Sequence, residues 1–139
     1  MTIKVLDGSN YFRGLLLLIK KDNRVAGPEA DLMKRIGKAL GFEAEFCSNA
    51  IKEILHNEHV SESPPQFSSQ ELAMKFIHDG LTIAMSDGNI DTREEEWLRT
   101  TALTNKLDDH WFDDQLADTR RTSSLAAALQ AENLRVTHM

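Results

Sequence analysis

Apolar residues recur three and four positions apart through almost the whole of this chain, and that period restricts it to helices, each burying one stripe. Tyr11, Phe12, Leu15, Leu16, Leu18 and Ile19 line one face of a first predicted helix that runs to about Lys21. Gly27-Pro28-Glu29 supplies an N-cap, a proline at the first helical position and a first-turn carboxylate. The second predicted helix turns Leu32, Met33, Ile36 and Leu40 inward, and Gly41 is placed to end it. A third, from about Glu43 to His56, faces Phe46, Cys47, Ala50, Ile51, Ile54 and Leu55 inward. Residues 57–68 have no period, and Pro64-Pro65 bar a helix there, so this stretch is a linker. Ser68 with Glu71 is a capping box for a fourth helix carrying Leu72, Phe76, Ile77, Leu81 and Ala84, which Asp87-Gly88 stops. Asp91 with Glu94 is a second capping box, opening a fifth helix with Trp97, Leu98 and Thr101 or Ala102 inward. Another begins near Asp108 or Asp109 and buries Trp111, Phe112 and Leu116; Ser123 or Ser124 caps a last short one through Leu125 and Leu129 before a polar tail. Ahead of them all, Ile3 and Val5 alternate briefly up to Asp7-Gly8-Ser9-Asn10, as a strand fragment or a loose arm. The expected fold is all-α: one compact domain of six to seven helices over residues 1–139, with its core at about 10–118 and a C-terminal helix and tail at 119–139.

The 139 residues can enclose a core without a metal or disulfide. The apolar run Leu15–Ile19 is far too short to span a bilayer. The stretch from Met1 to Leu15 lacks the ordering of a secretory signal, so a cytoplasmic location is expected. The lone Cys47 agrees with a reducing compartment and is read as core filling. Charge is uneven. Residues 1–60 hold nine Lys and Arg against eight Asp and Glu, a net +1, whereas residues 61–139 hold seven against fourteen, a net −7. Such acidity repels a nucleic-acid backbone and favours cations or a basic partner, although solvated helix faces explain much of it.

Sliding the chain against itself until Asp22 meets Asp87 aligns the first helix pair with the fourth and fifth. Leu16 then meets Leu81 and Glu29 meets Glu94, also as identities; Val25 falls on Ile90 and Met33 on Leu98. The expected unit is a pseudo-repeated helical hairpin with an Asp and a Glu at its turn. Glu29 and Glu94 sit in first turns, where free N–H groups and the helix dipole favour a carboxylate. Asp22 and Asp87 fall at helix ends that disfavour an anion. An Asx-turn would satisfy them, and so would a hard cation such as Ca²⁺ or Mg²⁺ held weakly between each Asp and its Glu. An EF-hand is excluded: Thr92 stands where the loop glycine belongs, and Leu98 where the closing bidentate Glu belongs.

The run Ala84-Met85-Ser86-Asp87-Gly88-Asn89-Ile90-Asp91-Thr92-Arg93-Glu94, followed by Trp97-Leu98, resembles the signature of the TerB-like family. These are tellurite-resistance domains that also occur beside co-chaperone modules. The stretch from Asp22 to Glu29 looks like a first copy, with Asn23 in place of the glycine and Ala26 without a carboxylate. The resemblance implies an all-helical, non-catalytic domain with two related halves and a stress-response or regulatory role. It also implies an acidic metal site, which by position falls on Asp22, Glu29, Asp87 and Glu94, with Asp91 as an extra ligand in the second copy.

His56 and His59, with Glu53, are not in the His-Glu-x-x-His order and read as solvent-facing. Trp97 and Trp111 read as core anchors. Neither a phosphate loop nor a nucleophile elbow occurs in the sequence, so the chain is read as non-enzymatic. The expected partner is a protein, basic or membrane-associated; nucleic acid and direct membrane insertion are not expected, and homodimerisation stays open. The alternative to a metal-binding TerB-like domain is an interaction or scaffold module without a metal site, and a small helical hydrolase is the third option.

Overall fold

The computed structural model of the chain describes residues 1–20, 27–56, 63–85, 90–121 and 129–137. The described elements run β1 (Thr2–Lys4), α1 (Val5–Lys20), α2 (Gly27–Ala39), α3 (Ala44–His56), α4 (Gln70–Ala84), α5 (Thr92–Thr104), α6 (Asp109–Arg121), a 3₁₀ helix (Gln130–Asn133) and β2 (Arg135–Thr137). The protein is a compact all-α domain. No described helix is long and apolar enough to cross a membrane.

Helix α1 is the axis of the fold. Leu15 to Ile19 are all buried, so the helix is apolar all round in its second half rather than along one stripe. A helix of that kind is stable only when neighbours cover every side, and α2, α3, α4, α5 and both strands do so. α1 also starts earlier than the sequence suggests. Asp7-Gly8-Ser9-Asn10 reads as a turn by composition yet lies inside the helix, because tertiary contacts override local propensity. Gly8 lets Val136 of β2 approach to a distance that any side chain would crowd. The Asp7 carboxylate, buried, accepts from the Ser68 N–H at 3.2 Å and the Ser68 hydroxyl at 2.5 Å.

That bond corrects one capping assignment. Ser68 is occupied with Asp7, and the N-cap of α4 is Ser69, whose side chain accepts from the Leu72 N–H. The second assignment holds: Asp91 and Glu94 form a reciprocal capping box at the start of α5. Phe46 is a second correction. It is 53% exposed, its ring 5.2 Å from that of Phe42 instead of in the core. Ile54 and Cys47 of α3 are buried as expected, and the Leu55 side chain lies outside the described set. Trp97, Leu98, Thr101, Ala102, Phe112 and Leu116 are buried, while Trp111 is only partly so.

Helices α2 and α5 end alike. After α2, Phe42 N–H donates to the Gly37 carbonyl at 2.8 Å and Gly41 N–H to Lys38, with Gly41 at φ 85°. After α5, Leu107 N–H donates to Ala102 at 2.9 Å and Lys106 N–H to Leu103, with Lys106 at φ 63°. Both are Schellman motifs. Glycine fills the left-handed position in the first and lysine in the second. Gly41 falls on Lys106 in the same alignment that sets Asp22 on Asp87. The turns that carry Asp22 and Asp87 lie outside the described residues.

The chain ends meet, where the sequence suggests only an arm and a polar tail. Thr2–Lys4 pair in parallel with Arg135–Thr137, Ile3 opposite Val136, and the Met1 ammonium donates to the Asn133 carbonyl. Leu129, expected in a last α-helix, is the buried N-cap of the 3₁₀ helix, and Ser123, Ser124 and Leu125 lie outside the described residues.

Candidate functional site

The five expected metal ligands are brought together only in part. Asp22 and Asp87 lie outside the described residues; Glu29 falls in the first turn of α2, with its side chain outside the described set. Asp91 and Glu94 do meet, but as caps. The Asp91 carboxylate accepts from the Arg93 N–H at 2.7 Å and lies 3.3 Å from the Arg93 guanidinium, and the first of these contacts draws its pKa below the usual value. Glu94 is 2% exposed, and its Oε1 accepts from the Asp91 N–H at 3.3 Å. Two carboxylates so engaged complete the free N–H groups of α5. Among the described residues no group of three or more His, Cys, Asp or Glu side chains is arranged to hold a metal ion. Cys47 is buried in the core, and burial pushes its thiol pKa up, which leaves it a filler rather than a nucleophile. His59 lies outside the described residues; His56 is exposed at the end of α3.

The most elaborate polar arrangement is elsewhere. Asp79, midway along α4, is completely buried. Its Oδ1 accepts from the Gln130 N–H at 2.7 Å; its Oδ2 accepts from the Ala131 N–H at 2.8 Å and the Tyr11 hydroxyl at 2.6 Å. His78 Nδ1 lies 3.4 Å from Oδ1. The carboxylate does for the 3₁₀ helix what a capping aspartate does for an α-helix, but from a distant part of the chain. Burial first, and the adjacent Asp79 charge second, push the Tyr11 pKa well above its ordinary value. Tyr11, Asp79 and His78 are the residue types of an acid–base relay. Tyr11 and Asp79 are both sealed at 0% exposure, however, and the Tyr11, Gln130 and Ala131 donors around Asp79 are spent on the fold. The group ties α1, α4 and the C-terminal segment. The sequence places Tyr11 in the core but marks Asp79 only faintly: its spacing from Leu72, Phe76 and Ile83 by seven, three and four puts it on the apolar stripe of α4.

A concavity lies between α1 and the stretch before α4. It encloses about 500 Å³, with Gly14 and Leu17 as its floor, Pro64 and Pro65 as one wall, and Arg13 and Thr104 at its margin. Gly14 is required here, since a Cβ would come within 3.0 Å of Pro65 and 2.8 Å of the Phe76 ring. Asn105, the C-cap of α5, fixes the wall by donating to the Pro65 carbonyl and accepting from the Phe67 N–H, both at 2.9 Å. A second hollow of about 330 Å³ adjoins it, sharing Gln66 and Thr104 and continuing past Ser69 to Lys106. The combined trough has the size of a ligand site. Among the described residues its lining includes Arg13 and Lys106 and no Asp or Glu, in a chain of net charge −6. Neither cation forms an ion pair with any described carboxylate, whereas Arg99 bridges Asp109 and Asp113 at 2.7 Å each and Arg120 reaches Glu95 at 3.3 Å.

No protein-family model matches this chain, and comparison with curated proteins and with solved structures finds no significant match.

Proposed function

We propose that this chain is a non-catalytic helical domain that works by docking to a partner protein. The observation that carries the reading is the trough along residues 63–70, held open by a stapled wall and a glycine floor. The buried ionisable groups support it from the other side. Asp7, Asp79 and Glu94 hold the fold together, and Tyr11, its pKa pushed far above the ordinary value, opens onto no surface. A hydrolase needs two such groups facing a cleft. The test is affinity capture with the full chain as bait, comparing wild type with a surface-charge variant. A stoichiometric partner retained through washing supports the reading; turnover of a small-molecule substrate by the purified chain sinks it.

A second reading keeps the likeness to the TerB-like family: a divalent cation held weakly by Asp22, Glu29, Asp87, Asp91 and Glu94, in a domain that serves stress-response or regulatory assembly. It is favoured by the two Schellman ends lying at the repeat offset. Titration with Ca²⁺, Mg²⁺ and Zn²⁺ followed by amide NMR decides it. Shifts confined to residues 22–29 and 87–94 and lost in Asp87→Asn support the site, and unchanged spectra at millimolar metal remove it.

A further inference from the structure

We propose that the trough between α1 and the 63–70 stretch takes an extended, acidic segment of the partner protein, with carboxylates at Arg13 and Lys106 and an apolar side chain over Pro65 and Leu17. This rests on the docking reading above and names the chemistry of what docks.

The first argument is electrostatic. Acidic residues are frequent along this chain, yet among the described residues neither hollow is lined by one, and the two cations present are unpaired. Two unpaired cations with no described carboxylate between them favour an anionic ligand, and their separation orients it. The second argument is conformational. Lys106 holds φ 63° at the end of α5, in the left-handed region where a Cβ crowds the following carbonyl. The corresponding end of α2 avoids that crowding with Gly41. A lysine retained at the strained position carries its charge to the rim of the second hollow. The third argument is shape. The wall is a run outside helix and strand whose two prolines offer no N–H, so side chains seat against apolar rings while charge is read only at the two ends. Two hollows that meet at Gln66 and Thr104 make an elongated path, which suits a strand-like peptide better than a compact metabolite.

The probe is a fluorescein-labelled hexapeptide of alternating Glu and Leu, titrated into the full chain by fluorescence anisotropy and by amide NMR. Gln/Leu and Lys/Leu hexapeptides and inorganic phosphate serve as comparisons. The Glu/Leu peptide shifts amides at Asn10, Arg13, Gln66 and 104–106, and its affinity falls with added salt. Arg13→Gln and Lys106→Gly each weaken binding by about two- to five-fold, the effect of one exposed ion pair, and Arg13→Glu with Lys106→Glu abolishes it. Lys106→Gly folds at least as stably as wild type, so its loss of binding cannot come from misfolding. Equal binding of the Gln/Leu or Lys/Leu peptide, displacement by phosphate at similar concentration, or shifts mapping to α3 around Phe46 would each overturn the assignment. If the peptide fails while wild type and the doubly reversed variant capture the same partner, the trough is wrong and the docking reading stands. If neither binds anything, both fall.

Discussion

Replacing Asp79 by asparagine keeps the shape of the side chain and removes one acceptor oxygen and the charge. Asp79 receives three donors, two on Oδ2 and one on Oδ1, so the amide must leave one of them facing an N–H₂ group. The least costly choice turns the amide towards Gln130, which is half-buried and can reach water, and keeps the oxygen for Ala131 and Tyr11, both completely buried. That forfeits one charge-assisted hydrogen bond and weakens two, a loss of about 1–3 kcal/mol. Asp79→Ala strands the Ala131 N–H and the Tyr11 hydroxyl in the core and should cost about 3–5 kcal/mol. Urea denaturation followed by tryptophan fluorescence measures both. Amide exchange locates the effect: protection at Ala131, Leu134 and Val136 falls first, because the 3₁₀ helix and β2 depend on this one carboxylate. A loss in Asp79→Asn smaller than a single ordinary hydrogen bond contributes, with Ala131 still protected, would refute the reasoning. It would show that apolar packing by Leu129 and Leu134 holds the segment and that the buried anion does not.

Tyr11 is the only tyrosine, and its raised pKa makes the fold disfavour phenolate. Stability from this group is therefore full below about pH 10, the unfolded value, and is lost as pH rises past it; absorbance at 295 nm should show ionisation coinciding with unfolding, and an earlier separate titration would contradict the burial. A Cβ at position 37 would overlap Cys47 Sγ, so Gly37→Ala should destabilise by about 1–3 kcal/mol, with Cys47→Ala recovering part of it in a double-mutant cycle. Arg99, which joins α5 to Asp109 and Asp113 with its guanidinium 4.7 Å over the Phe112 ring, should lose about 1 kcal/mol on replacement by lysine, read as a shift in the urea midpoint.

The helices are legible in the sequence because each buries a stripe whose period the residues carry locally. Leu32, Met33 and Ile36 of α2, or Leu72, Phe76 and Ile77 of α4, announce their own burial. The Asp91–Glu94 box is legible for the same reason, its partners being neighbours on one turn. The start of α1 is not: what makes Asp7 and Gly8 helical is Ser68 and Val136, and no local pattern contains those contacts. Asp79 is hidden in another way. Its position on the apolar stripe is visible, but its donors Tyr11, Gln130 and Ala131 come from opposite ends of the chain. The trough depends on Asn105 reaching back to Pro65, a bond that spacing alone does not reveal.

The pairing of residues 2–4 with 135–137 has a consequence for biosynthesis. A chain made from its amino end must wait until residues 135–137 have been made before this pairing can close, and the entropy of so wide a loop is recovered only then. Until that moment the tyrosine–aspartate pair lacks its cap, and the greasy flank later shielded by Leu129, Ala131 and Leu134 stays bare. Ribosome-bound intermediates halted short of Leu129 should therefore be the ones that chaperones hold.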